Sequence, residues 1–223
     1  MTEFKVVEKF ISINGEAVRA GELSVFIRFK GCNLRCNYCD TLWACEDGAE
    51  YSLMNTEDIY EYIKASGIKN VTLTGGEPML QEGIGELLQR LGSDTDLRIE
   101  VETNGAVPLT DYYRSVPDNV SFTVDYKCTG SGMEKAMYLP NFEGLRSIDT
   151  VKFVVSDIID LDKAAEVIEK YRLSEKCPVY LSAVFGRITP EEIVEYMKDN
   201  KLNDIRLQLQ MHKYIWPPEM KGV

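Results

Sequence analysis

Seven short runs rich in β-branched and aromatic residues recur along the chain: SVFIRF (24–29), VTLT (71–74), LRIEVET (97–103), VSFTVDY (120–126), TVKFVVS (150–156), PVYLSAV (178–184) and IRLQLQ (205–210). Each has the composition and length of a strand. Helical patterns stand between several of them. In NTEDIYEYIKAS (55–66), Ile59, Tyr62 and Ile63 share a face, and Asn55 or Thr56 ahead of Glu57 and Asp58 supplies an N-cap with an acidic first turn. LDKAAEVIEKYR (161–172) repeats apolar residues at helical spacing through Ala164, Val167, Ile168 and Tyr171. TPEEIVEYMKDN (189–200) has Thr189 as cap and Pro190 at the first helical position. Strand, helix, strand order requires parallel pairing through right-handed crossovers. From Lys127 to Ile148 the rhythm fails, since glycines and a proline replace helical periodicity, and the crossover there is expected to be a loop. The expectation is an α/β fold, an incomplete (β/α) barrel with fewer helices than strands, whose chemistry gathers at the C-terminal ends of the strands.

Composition bounds the rest. A chain of 223 residues with 44% hydrophobic content buries a sizeable core, and with no repeat or linker in sight it reads as one domain. The net charge of -11 argues against nucleic acid, which is held mainly by clustered Lys and Arg, and makes a small molecule the expected partner. The first residues show no secretory pattern, and no apolar run approaches the roughly 20 residues that cross a bilayer. A cytoplasmic setting is expected, in which thiols stay reduced and close cysteines point to metal or catalysis instead of disulfides.

Cys32, Cys36 and Cys39 stand at C-x3-C-x2-C directly after the 24–29 strand. Structural zinc needs four ligands, and the sequence offers neither a second knuckle nor more than one histidine, His212. Three thiolates from one compact loop suit a [4Fe–4S] cluster with one iron left open. Zinc and plain buried thiols remain as lesser readings, although the polar residues Asn33, Arg35, Asn37 and Tyr38 suit a loop wrapped around a ligand. TGGEP (74–78), ETNG (102–105) and DYK (125–127) close the next three strands, so all four motifs belong on one rim.

The three-cysteine loop followed about 40 residues later by a glycine-rich turn ending in Glu-Pro resembles the radical S-adenosylmethionine (SAM) superfamily. SINGE (12–16), FIRFKGCNLRCNYCDT (26–41), TLTGGEP (72–78), EVETNG (100–105), DYKCTGSGM (125–133) and LQMHKYIW (209–216) together resemble, over nearly the whole chain, the 7-carboxy-7-deazaguanine synthase family. That resemblance implies conversion of 6-carboxy-5,6,7,8-tetrahydropterin to 7-carboxy-7-deazaguanine with loss of ammonia, on the way to queuosine and other 7-deazapurines. It implies a [4Fe–4S] cluster, SAM and Mg2+ as cofactors, an electron donor such as a flavodoxin or ferredoxin, and a homodimer. A glycyl-radical-enzyme activase and a non-catalytic iron–sulfur module are the alternatives.

Carried over residue by residue, the resemblance makes Cys32, Cys36 and Cys39 the cluster ligands. Tyr38 and Asp40 flank the last of them near SAM, and Gly75, Gly76 and Glu77 match the site of the SAM amino acid. Asp125, Tyr126 and Lys127 match a SAM-contacting strand end, with Asp125 and Tyr126 standing where the family often has Ser-Pro. Thr41 resembles the one protein ligand to Mg2+, a metal that takes few protein ligands and keeps its waters. The substrate side falls to Ile13, Asn14, Gly15 and Glu16 in an N-terminal segment (1–23), to Arg28 and Thr74, and to Gln210, His212 and Val223 around a C-terminal tail (211–223). A guanidinium at Arg28 suits a substrate carboxylate. Cys45, Cys128 and Cys177 show no ligating spacing and are expected to be incidental thiols.

Overall fold

The computed structural model describes residues 2–218 and 220–223. Nine strands are numbered in chain order. The seven expected runs form β2 (Leu23–Phe29), β4 (Asn70–Gly75), β5 (Arg98–Thr103), β6 (Val120–Tyr126), β7 (Thr150–Val155), β8 (Val179–Ala183) and β9 (Ile205–Gln208), while β1 (Glu3–Ile13) and β3 (Ser52–Asn55) are additional. They make one sheet in the order β3-β1-β2-β4-β5-β6-β7-β8-β9. Every neighbouring pair from β2 to β9 is parallel, and β1 runs antiparallel to both β2 and β3.

The three expected helices are α1 (Thr56–Ser66), α4 (Ile158–Tyr171) and α5 (Pro190–Asp199); α2 (Ile84–Gly92) and the one-turn helices α3 (Tyr112–Ser115) and α6 (His212–Ile215) are additional. Helices are thus fewer than strands, as expected of an incomplete barrel. Between residues 127 and 148 the chain makes only the 3-10 turns Thr129–Ser131, Glu134–Ala136 and Leu139–Phe142. Helix starts obey their local chemistry. Asn55 accepts from the amides of Glu57 and Asp58 while Asp58 returns a bond to the Asn55 amide, and Thr189 and Glu192 repeat that reciprocal box ahead of Pro190.

The strands alternate, and the alternation decides where the site lies. Val71, Leu73, Ile99, Val101, Phe122, Val124, Val151 and Phe153 are at most 1% exposed and pack outward against helices such as α2, whose Leu87, Leu88 and Leu91 are fully buried. Each such leucine contributes about 2 kcal/mol of burial. The opposite parity carries Thr72, Thr74, Glu100, Glu102, Thr123, Asp125 and Lys152, so the inner face of the barrel is polar. Parallel strands packed on both faces ordinarily read as unbroken apolar runs. Here the polar parity marks an interior that lines a cavity instead of a packed core.

The sheet does not close, and β3 and β9 are its edges. The chain between β1 and β2 and the segment after β9 meet across that gap. The Ala17 amide donates to Gln208 Oε1 (2.7 Å), Gln210 Nε2 to Glu16 Oε1 (2.9 Å) and the Met211 amide to the Gly15 carbonyl (3.3 Å).

Candidate functional site

A cavity of about 390 Å³ runs through the barrel interior and is shared by the cysteine loop, the strand ends and the chain termini. Ile13, Asn14, Gly15, Glu16, Arg28, Cys32, Cys36, Tyr38, Cys39, Asp40, Thr41, Thr74, Gly75, Gly76, Asp125, Lys127, Gln210, His212 and Val223 all line it. Of the residues that the resemblance assigned to the cluster, the cofactor or the substrate, two do not. Tyr126 is 5% exposed and sits among Phe142 and Phe153, because its parity on β6 points it toward the helices. Glu77 is fully buried behind the glycine turn.

The Glu77 carboxylate is a joint between loops. Its Oε1 accepts from the Met79 amide (3.0 Å) and Thr103 Oγ1 (2.8 Å), and its Oε2 from the Asn104 amide (2.7 Å). Burial pushes its pKa up to about 7 against the pull of those donors. TGGEP and ETNG therefore occur together because one carboxylate ties the end of β4 to the end of β5. Gly76 likewise answers to the protein first. A Cβ there would lie 2.0 Å from the Gly31 carbonyl oxygen, so close passage of the β2 and β4 loops already requires glycine.

None of the six cysteines is bridged. Burial raises the pKa of Cys36 and of Cys39, and the neighbouring thiols reinforce it. Among the described residues no three His, Cys, Asp or Glu side chains converge on a point that one metal ion would occupy. Cys32, Cys36 and Cys39 share one cavity wall, the placement a cluster held by three thiolates of a single loop requires. Cys128 and Cys177 lie in the apolar core, as expected. Cys45 departs from expectation: it lines the cavity beside Cys32 and Gly76, and burial pushes its thiol up to about 11.

Toward the interior the charges interlock. Lys152 reaches Glu16 Oε2 at 2.6 Å and Asp125 Oδ1 at 3.4 Å, and Lys127 holds Asp125 Oδ2 at 2.5 Å. Burial alone would raise the Glu16 pKa, but the Lys152 ammonium outweighs it and holds the carboxyl below its usual range. Burial pushes Glu102 up to about 7, where it accepts from Thr74 Oγ1 (2.7 Å). Asp125 Oδ1 is buried and makes no hydrogen bond within the protein, although the Lys152 ammonium stands 3.4 Å away, so it keeps acceptor capacity beside the cavity. Arg28 spends Nε on Glu8 Oε2 (3.0 Å), which leaves the rest of its fork for an incoming carboxylate. Thr41 donates to Asp40 Oδ1 (2.8 Å), which groups two hard oxygen donors next to the last cysteine. Burial lowers the His212 pKa below the usual imidazole value, which favours the uncharged ring, against the pull of Glu16 and Asp40. Its Nδ1 is close enough to Gly15 that a Cβ there would lie 3.2 Å away.

Lys152, Glu8, Glu100, Glu102 and Asn104 were not read from the sequence. Lys152, Glu100 and Glu102 left only a trace, a charge among apolar strand residues whose facing the register alone settles, and Glu8 left none because β1 carries charge on both parities; Glu100, for instance, accepts from Asn14 Nδ2 (2.7 Å). Asn104 had none beyond its place in ETNG.

Comparison with known proteins gives concordant results. The family model described as the Radical SAM superfamily matches residues 26–126. A 7-carboxy-7-deazaguanine synthase of Clostridium acetobutylicum is 56% identical, covering 99% of this chain and 99% of its own length. A protein of the same name from Leptospira interrogans is 35% identical over 98% of this chain and 97% of its own. Among solved structures, the crystal structure of QueE from Escherichia coli superposes with a TM-score of 0.74, covering 93% of this chain and 94% of that one at 20% identity, which establishes the shared fold.

Proposed function

The chain belongs to the 7-carboxy-7-deazaguanine synthase family of radical SAM enzymes, and from that premise we propose that it contracts 6-carboxy-5,6,7,8-tetrahydropterin to 7-carboxy-7-deazaguanine, releasing ammonia. The family implies a [4Fe–4S] cluster and SAM. When bound, these would supply reductive cleavage of SAM and the hydrogen-atom abstraction that starts the rearrangement, with Cys32, Cys36 and Cys39 as the residues that would hold the cluster.

The chain's own residues bind, orient and exclude. Gly75, Gly76 and Tyr38 would line the side of the SAM amino acid, and Asp125 Oδ1, which makes no hydrogen bond within the protein and has only the Lys152 ammonium at 3.4 Å, would accept from a ligand ammonium or hydroxyl. Arg28 takes the pterin carboxylate, with Glu8 fixing the plane of its fork. Asn14, Glu16, Gln210 and His212 meet the polar edge of the pterin. Thr74, hydrogen-bonded to Glu102, supports the ring from β4. Thr41 with Asp40 offers Mg2+ the small oxygen set that it accepts, the remaining positions falling to water and substrate. Barrel walls keep solvent from the radical.

The observation that most supports this reading is the joining of a thiol triad to a polar barrel interior in one cavity. The setting we propose is cytoplasmic, with a flavodoxin or ferredoxin as reductant and the chain acting as a homodimer of single-domain subunits; no described helix is long and apolar enough to cross a membrane. The test is incubation of reduced, reconstituted protein with SAM, Mg2+ and 6-carboxytetrahydropterin. A deazapurine carboxylate detected by mass spectrometry is expected. SAM cleavage without that product overturns the substrate assignment.

A further inference from the structure

Asn104 is 6% exposed, and its amide, its side-chain oxygen and its side-chain NH2 are all engaged. Its amide donates to Glu77 Oε2 (2.7 Å), and its Oδ1 accepts from the Ala106 amide (2.9 Å). The side-chain NH2 is held by those anchors in one orientation and sends its two hydrogens to different places. One goes to Asn33 Oδ1 at 2.8 Å and the other to Cys32 Sγ at 3.5 Å. The Leu34 amide also donates to Cys32 Sγ, at 3.4 Å. Among the described residues Cys32 is the only one of the three loop cysteines that receives a side-chain N–H.

We infer that Asn104 is a positioning residue that sets the reduction potential of the cluster through its hydrogen bond to the Cys32 thiolate. The inference rests on the reading of Cys32 as a cluster ligand. A donor on a ligand sulfur stabilises negative charge, and the reduced cluster carries one electron more than the oxidised one, so the bond favours reduction. Its geometry does not depend on the cluster to hold it. The Glu77 joint fixes Asn104 from behind, and Glu77 is in turn fixed by the glycine turn at the end of β4. The residue thus couples the potential of the cluster to the loops that form the wall for SAM.

The test uses reconstituted, SAM-free holoprotein titrated potentiometrically under anaerobic conditions, with the reduced cluster followed by electron paramagnetic resonance and iron counted per chain. Asn104→Leu removes the donor at nearly constant volume. Asn104→Asp removes it but keeps Oδ1 for the Ala106 amide, which guards against a folding failure of the first variant. Asn33→Ala perturbs the same loop and leaves the N–H to sulfur contact in place. The expected result is unchanged iron content, a midpoint shifted to more negative potential in both Asn104 variants, and no shift in Asn33→Ala. A midpoint equal to wild type in Asn104→Leu overturns the inference, even if Asn104→Asp shifts, because that shift then reports only the added charge. Loss of iron from both Asn104 variants makes the residue a strut and overturns it too. Wild-type protein that assembles no four-iron cluster overturns the functional reading and this inference with it.

Discussion

At Gly76 an added Cβ would stand 2.0 Å from the Gly31 carbonyl oxygen, 2.4 Å from its carbon and 2.9 Å from Cys45 Sγ, whereas real Cβ atoms essentially never approach within 3.0 Å. In Gly76→Ala the two loops must therefore separate by about 1 Å at their closest point, an overpacking strain of about 1–3 kcal/mol. Separation also strains the bonds that join them, Glu77 N to Gly31 O at 2.8 Å and Gly76 N to Phe29 O at 3.1 Å, and losing one costs about 1 kcal/mol more. Gly76 is not among the glycines with positive φ, so backbone strain adds nothing. The expected loss is about 2–4 kcal/mol of folding stability. Urea denaturation of the iron-free protein measures it in the absence of any ligand. Gly48, whose added Cβ meets nothing within 4 Å, provides the control, and Gly48→Ala should stay within about 0.5 kcal/mol of wild type. If iron-free Gly76→Ala matches wild type while reconstituted Gly76→Ala fails to bind SAM, the glycine serves the ligand and the packing argument is wrong.

Three further outcomes are expected. Cys36→Ala should lose the cluster, whereas Cys177→Ala, altered deep in the apolar core, should keep full iron stoichiometry; iron retained in Cys36→Ala would contradict the ligand set. In Arg28→Lys a single ammonium cannot serve both Glu8 and a substrate carboxylate, so substrate affinity should fall about ten- to a hundredfold with SAM affinity unchanged, and equal small effects on both ligands would place Arg28 outside the substrate site. For Glu77 the folded pKa of about 7 lies above the unfolded value near 4.5, so the folded chain binds more protons in that window and this group's contribution to stability falls as pH rises through it. The stability advantage of wild type over Glu77→Gln should therefore shrink between pH 5 and pH 8, by up to about 3 kcal/mol, and a constant gap measured by denaturation at both pH values would show that the carboxyl titrates normally.

The parallel strands were legible because β-branched runs and caps are local signals, and Asn55 and Thr189 mark helix starts from the sequence alone. β1 escaped notice because EFKVVEKFISI mixes charge on both parities, and one of its two partners, β3, lies far along the chain. α2 hid behind glycines: Gly83 is its N-cap, with φ 76°, and Gly92 its last residue, although Leu87, Leu88 and Leu91 repeat at helical spacing between them. The thiol triad and the glycine turn announce themselves by spacing. Lys152 and Glu102 do not, because their meaning depends on which parity of a strand faces the interior, and only the register of the neighbouring strands decides that. Glu77 shows the reverse limit: its motif points to the SAM site, and spacing alone does not reveal that its carboxylate is taken up by the protein.

The gap between β9 and β1 has a consequence for traffic through the cavity. Anywhere else around the barrel, opening a passage means parting two strands and breaking a ladder of backbone bonds. Across the gap, Gln208, Gln210 and Met211 reach the 15–17 turn through three hydrogen bonds, two of which end on side chains. A planar molecule bound as proposed against Asn14 and Arg28 would therefore have its least costly way in and out along this seam, and the barrel itself need not deform. The enzyme can keep rigid walls around a radical and still release its product, because permanence and exit are assigned to different stretches of chain.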